Sequence, residues 1–159
     1  MLKINIITIG KLKESYWREA AAEYIKRLTP YARVEIVELK EESFDEKSSQ
    51  EAIKKLEGEK ILATLKKIPP AYVIALDATG KQFSSEALSL KISQITMQYG
   101  SRVVFIIGGP LGLSEDVRKK AELVLSLGAI TITHQMARVT LLEQLYRAMM
   151  IQNNRSYHY

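Results

Sequence analysis

The sequence predicts an α/β fold, a mostly parallel sheet with helices on both faces. Two patterns and one break in pattern carry this reading. Short apolar runs alternate with stretches whose apolar residues recur at three and four, the order of strand and helix in a wound sheet. Prolines and glycines fall between the units, as at Thr29-Pro30, Pro69-Pro70 and Gly100. The break lies in the last third. There the apolar run Val103-Val104-Phe105-Ile106-Ile107 stops at Gly108-Gly109-Pro110-Leu111-Gly112, a strand end of bare backbone.

Residues 3–9 read as the first strand, ended by Gly10. Tyr16, Trp17, Ala20, Ala21, Tyr24, Ile25 and Leu28 form the stripe of an amphipathic helix that Thr29-Pro30 stops. Residues 33–39 alternate as a second strand. Residues 43–49 are polar and read as a loop. Residues 51–65 are helical in composition, with Gly58 a weak point. Residues 72–76 form a short buried strand, closed by the turn Asp77-Ala78-Thr79-Gly80-Lys81. Ser84 caps a helix with the stripe Leu88, Ile92, Ile95 and Tyr99, ended by Gly100. Residues 101–107 form the central strand. Ser114 caps a short helix whose first turn carries Glu115 and Asp116, favourable to its dipole. A strand near Val124 follows, then residues 127–132. Val139, Leu142, Leu145, Tyr146, Met149 and Met150 mark the last helix. By topology rules alone this is a flavodoxin-like or Rossmann-like open sheet.

A length of 159 residues suits a single domain, 1–159, with no repeat or linker. No apolar run approaches the ~20 residues that span a bilayer, and no signal pattern opens the chain, so a cytoplasmic protein is expected. Cysteine is absent, which excludes disulfides and thiolate metal sites, and two histidines argue against a histidine metal site. The net charge of +5 is unevenly spread: residues 35–59 hold nine acids against four bases, so the remaining 19 bases face only nine acids. A basic body with one acidic region hints at a polyanionic partner.

Ligands of open α/β sheets sit beyond the carboxyl ends of strands. A small molecule is therefore expected on backbone near Gly108 and near residues 127–132. The loop lacks both the G-x-G-x-x-G of dinucleotide sites and the Lys-Ser/Thr of a P-loop, so neither nucleotide mode applies. Asp77 reads equally as a substrate contact or a turn residue. Lys11 and Lys13 read as part of a basic surface facing a polyanion or as simply solvated, and His134 as filling space beside the loop. Arg138 opens the last helix, where a cation opposes the dipole, so a phosphate-binding role is expected of it.

Read together, Ile6-Ile7-Thr8-Ile9-Gly10-Lys11, Leu76-Asp77-Ala78-Thr79-Gly80-Lys81, Ile107-Gly108-Gly109-Pro110-Leu111-Gly112 and the tail Ser156-Tyr157-His158 resemble one family along the whole chain. It is the SPOUT class of methyltransferases, and within it the RlmH family, which methylates N3 of a pseudouridine in large-subunit ribosomal RNA. The resemblance implies a deep trefoil knot in the C-terminal third and a homodimer built on the last helix and its neighbours. It implies S-adenosylmethionine bound by Leu76, Gly108, Leu127, Gly128, Ala129, Ile130, Thr131 and Ile132, with no metal. It implies pseudouridine 1915 in helix 69 of 23S rRNA, in the assembled 70S ribosome, as substrate. Of the catalytic candidates, Tyr157 would stack on the base, His158 would take a proton or orient substrate, and Arg155 and Arg138 would neutralise phosphate or developing charge. The family often has a basic residue after the His, where this chain has Tyr159. Two other readings stay open: a SPOUT enzyme with another target, such as a tRNA ribose hydroxyl, and a non-catalytic RNA-binding assembly factor.

Overall fold

The computed structural model describes residues 1–157; His158 and Tyr159 lie outside the described residues. In order come β1 (Leu2–Ile9), α1 (Ser15–Leu28), β2 (Ala32–Leu39), α2 (Gln50–Leu65), β3 (Tyr72–Gln82), α3 (Ser85–Tyr99), β4 (Arg102–Ile107), α4 (Glu115–Lys120), β5 (Leu123–Ser126) and α5 (His134–Gln152). The strands form one sheet in the order β2-β1-β4-β3-β5, with parallel pairing throughout.

Side chains alternate across a strand, and here both directions are apolar. Ile4 and Ile6 of β1 join one buried cluster with Val103, Phe105 and Ile107 of β4; Ile7 and Ile9 join the other with Val104 and Ile106. The first cluster takes Ala21 and Leu28 from α1, Leu88, Ile92 and Ile95 from α3, and Leu141, Leu142 and Leu145 from α5. The second takes Ile61 and Leu65 from α2 and Val117 from α4. Helices thus cover both faces, as the sequence predicts.

This distribution decides where a ligand can sit. The chain leaves β1 and β3 toward α1 and α3 on one face, and leaves β4 toward α4 on the other. Neighbouring connections that diverge open a crevice at the carboxyl end of β4, where such sheets take ligands.

Ser49, Ser84, Ser114 and Thr133 cap α2, α3, α4 and α5, each accepting from the backbone N–H three residues on. Gly58, expected to weaken its helix, is instead a close-packing point, since a Cβ there would meet the Ser114 hydroxyl. The stripe of α5 differs from the expected one. Ala137, Arg138, Leu141, Leu142, Leu145, Ala148, Met149 and Met150 are buried, while Val139 and Tyr146 are only half-buried. β3 also differs, running through the expected turn at 77–81 rather than stopping at it.

Candidate functional site

β4 is paired to β1 through Ile107 and to β3 through Ile106, so Gly108 stands beyond both ladders. The chain then turns tightly, with the Gly112 N–H donating to the Gly109 carbonyl at 3.0 Å. A Cβ on Gly108 would lie 3.0 Å from the backbone carbon of Gly112, and one on Gly109 would lie 3.1 Å from Ile9 Cγ2. Those two glycines are demanded by the loop's own packing. Gly112 (φ +85°) and Gly128 (φ +140°) occupy backbone conformations that side chains resist, and nothing lies within 4 Å of a Cβ on either. The open ground is therefore beside Gly112 and Gly128, the second of which lies in the expected segment 127–132, while Gly108 is packed against its own loop.

β3 flanks this loop. Leu76 and Lys81 both pair with Leu125 of β5, which leaves residues 77–80 looped out as a strap. Asp77 shapes the strap. Its Oδ1 accepts from the Thr79 N–H (2.9 Å) and hydroxyl (2.6 Å), and its Oδ2 accepts from Arg118 Nη1 (3.4 Å). Burial opposes the Asp77 charge, but Thr79 and the Arg118 guanidinium together hold its carboxyl below the usual range. Asp77 is thus the turn former of the two expected roles. Gly80 lies flat on β5, where a Cβ would stand 2.6 Å from the Val124 carbonyl oxygen.

β5 stops at Ser126, whose hydroxyl donates to the Gly128 carbonyl (3.0 Å) and accepts from the Gly128 N–H (3.2 Å). Among the described residues, 129–132 pair with no strand, which leaves backbone donors and acceptors for a ligand. Ile130 is 82% exposed, an apolar side chain that could wall a ligand. The sheet thus brings together Leu76, just past the end of the β3–β4 ladder, and Gly108 and residues 127–132, which follow β4 and β5.

α5 begins next to this ground. His134 sits against Gly10 and Glu41: a Cβ on Gly10 would be 3.4 Å from the imidazole Nε2 and 3.3 Å from a Glu41 carboxylate oxygen. Burial pushes the imidazole below its ordinary pKa. Glu41 pulls it back, while Arg138 and Lys13 push it further down.

Arg138 requires a correction. It stands in the second turn of α5, away from the dipole's end, and is 3% exposed. Its guanidinium is committed to Glu38 (2.7 Å), the Gly10 carbonyl (3.1 Å) and the Thr8 hydroxyl (3.5 Å). A buried cation needs such partners, and at 3% exposure it presents almost no surface to an RNA phosphate. It ties the start of α5 to the ends of β1 and β2, a positioning role.

Glu57 is a further buried carboxylate, 3.4 Å from where a Gly109 Cβ would stand. Its Oε2 accepts from the Glu42 N–H at 3.1 Å. Burial nonetheless raises its pKa, with Glu41 adding to the shift and Lys60 opposing it.

The tail takes another course. Asn154, at φ 51°, reverses the chain after α5, and the Arg155 N–H donates to the Met150 carbonyl at 2.9 Å. Tyr157 then lies back along α5. Its hydroxyl donates to Glu143 (3.1 Å), its ring meets the edge of Tyr146 at 4.8 Å, and the Arg147 guanidinium covers it at 4.8 Å. Burial, Tyr24 and Glu143 push the phenol's pKa far up. Within one chain Tyr157 is an anchor whose ring is already occupied, not a free platform for a base. Arg155 is exposed. Glu143 is nine residues into α5 from His134, about 13 Å along the axis at ~1.5 Å per residue. The tail's seat is therefore separate from the ground beside Gly112 and Gly128. His158 is outside the described residues.

Arg118, Glu57 and Glu38 were not singled out from the sequence. Each matters through a partner distant in the chain, 41 residues in the case of Asp77–Arg118, and no local pattern signals that.

A family model described as predicted SPOUT methyltransferase matches residues 2–158. The chain belongs to this family. Among solved structures, a probable methylase family protein from Haemophilus influenzae Rd KW20 is similar in fold, with a TM-score of 0.57 and 18% sequence identity. The match covers 95% of this chain and 66% of that one, so this chain spans just under two thirds of that structure's length.

Proposed function

We propose that this SPOUT methyltransferase transfers a methyl group from S-adenosylmethionine to N3 of a pseudouridine in helix 69 of 23S rRNA, acting on the assembled ribosome as a homodimer. The observation that supports the donor assignment is the placement of Leu76, just past the end of the β3–β4 ladder, in the same region of the sheet as Gly108 after β4 and residues 127–132 after β5. Leu76, Ile130 and Ile132 offer apolar walls for an adenine ring, and free peptide groups offer hydrogen bonds to its edge. The segment 127–132 contains no charged side chain, which suits a cationic sulfonium. Bound there, the donor supplies an electrophilic methyl carbon.

The chain's own residues must do the rest. Pseudouridine N3 carries a proton and attacks only as that proton leaves, so a base must be held within reach of it. The nitrogen must also be aligned behind the methyl carbon, opposite sulfur. His158 and Arg155 remain the tail's candidates for proton removal and charge neutralisation. Tyr157, by its anchorage, fixes the course of the tail through Arg155. The acidic stretch 35–59 lies on β2, an edge strand, and on α2, so a polyanion is steered toward the rest of the surface and away from that edge.

The separation of tail and donor ground supports the dimer. A tail seated on α1 and α5 completes a site when those helices meet a second copy. Sedimentation equilibrium is expected to give twice the 18.0 kDa chain mass; a monomer alone at micromolar concentration contradicts it.

The activity test supplies labelled S-adenosylmethionine with 70S ribosomes lacking the modification, separate subunits, or tRNA. Label mapping to N3 of a 23S pseudouridine is expected. Label in a tRNA ribose would replace the substrate, and donor binding without any transfer would favour a non-catalytic assembly factor.

A further inference from the structure

The strap 77–80 stands between two candidate donor segments. It leaves β3 directly after Leu76 and rejoins it at Lys81, opposite Leu125, two residues before the 127–132 segment begins. At Gly80 it presses on the Val124 and Leu125 backbone too closely for any side chain. A shift of the strap therefore shifts both walls. Two things oppose such a shift. Asp77 bonds inward to Thr79 and so fixes the strap's shape. Arg118 reaches from α4 to Asp77 and, through Nη2, bonds Glu115 at 2.6 Å. The Asp77 side chain is 14% exposed and that of Arg118 30%, so the pair is shielded from solvent more than an ordinary surface ion pair. On its outer side the strap borders an open cleft of about 470 Å3, lined by Thr79, Glu115, Arg118, Lys119 and Val124. Across that cleft, Arg118 is the brace.

We infer that Asp77 and Arg118 are positioning residues: their ion pair braces the strap and so sets the gap between Leu76 and residues 127–132 in which the methyl donor is held. The inference rests on the donor reading above. It assigns donor affinity to a charge pair that need not touch the donor.

The test is calorimetric binding of S-adenosylmethionine to the full chain and to Asp77→Asn, Arg118→Gln and Arg118→Lys. It is paired with amide hydrogen exchange and thermal melting. Asp77→Asn and Arg118→Gln are expected to weaken donor binding by about three- to thirtyfold, the usual range for residues that couple to a site without contact. Exchange should quicken at 77–80 and also at 127–132. Arg118→Lys, which keeps the charge, should fall between wild type and Arg118→Gln. A pair that merely stabilises α4 would lower the melting temperature and leave donor affinity and exchange at 127–132 unchanged, which overturns the inference. If a variant fails to fold, Arg118→Lys decides: binding and exchange equal to wild type overturn the inference. If the wild-type chain itself binds no donor, the donor reading fails first; if it binds and the variants bind equally well, only the strap's role fails.

Discussion

The proposed donor ground and the tail's seat are built by opposite means. At the ends of β3, β4 and β5 the surface is mostly backbone, with turns held by glycines and a strap braced by one ion pair. On α5 and α1 the seat is mostly side chain, an aromatic and guanidinium stack around Tyr157 closed by Glu143. Backbone recognition tolerates no added bulk, because main chain cannot rotate away. Side-chain recognition tolerates trimming in steps, each losing one contact. The two regions should therefore respond differently to substitution, and one chain keeps them apart.

The largest effect is expected at Gly80. Gly80→Val drives a branched side chain into the Val124 carbonyl, and overpacking of this kind costs about 3 kcal/mol. Denaturant unfolding should show that loss, and calorimetry should show donor binding abolished. Retained binding would mean the strap is free to move. Next comes Arg138→Met. Removing the buried cation strips Glu38, Gly10 and Thr8 of their partner, and should cost about 2 kcal/mol, less than for a fully buried pair because Glu38 is still partly hydrated. Donor binding should weaken with it, since α5 begins where the 127–132 segment ends; unchanged stability would remove Arg138 from the account.

Tyr157→Phe is expected to act on the other region alone. Loss of the hydroxyl's hydrogen bond to the Glu143 carboxylate should loosen the tail by about 1.5 kcal/mol, read as faster protease clipping of the last residues. Methyl transfer should slow while donor affinity stays at the wild-type value; an equal loss in both would erase the distinction between the regions. The smallest effect is at Glu57. Its folded pKa is raised, so its contribution is fully present below the ordinary glutamate range and is lost as pH rises through the folded value. Glu57→Gln should therefore melt higher than wild type at pH 8 and match it near pH 4. A variant that melts lower at pH 8 would show that the charged form is the favoured one.

Strand order apart, the framework was legible in the sequence, because period and punctuation are local signals. Ser84, Ser114 and Gly100 mark their helix ends within four residues. The strap was not legible. Asp77-Ala78-Thr79-Gly80 has the composition of a strand-ending turn, and only the second pairing at Leu125 makes it a bulge. Arg138 was misread for a related reason. Its helix starts one residue after Thr133, placing it a turn deeper than its position in the sequence pattern suggested, and Glu38 lies 100 residues away. The tight turn after β4 was legible from its glycines, but the packing of Gly108 against Leu113 and of Gly109 against Ile9 is invisible in one dimension.

The claim that joins the two regions is that the tail of one copy completes the donor ground of another. It is tested by mixing two chains, each inactive in one region: Gly128→Val, which blocks the donor ground, and Tyr157→Ala, which frees the tail. If tails serve the partner, a one-to-one mixture should recover up to about a quarter of wild-type methyl transfer, because half the dimers are mixed and each has one complete site. A mixture that forms mixed dimers and stays inactive would contradict the account and place tail and donor in the same chain.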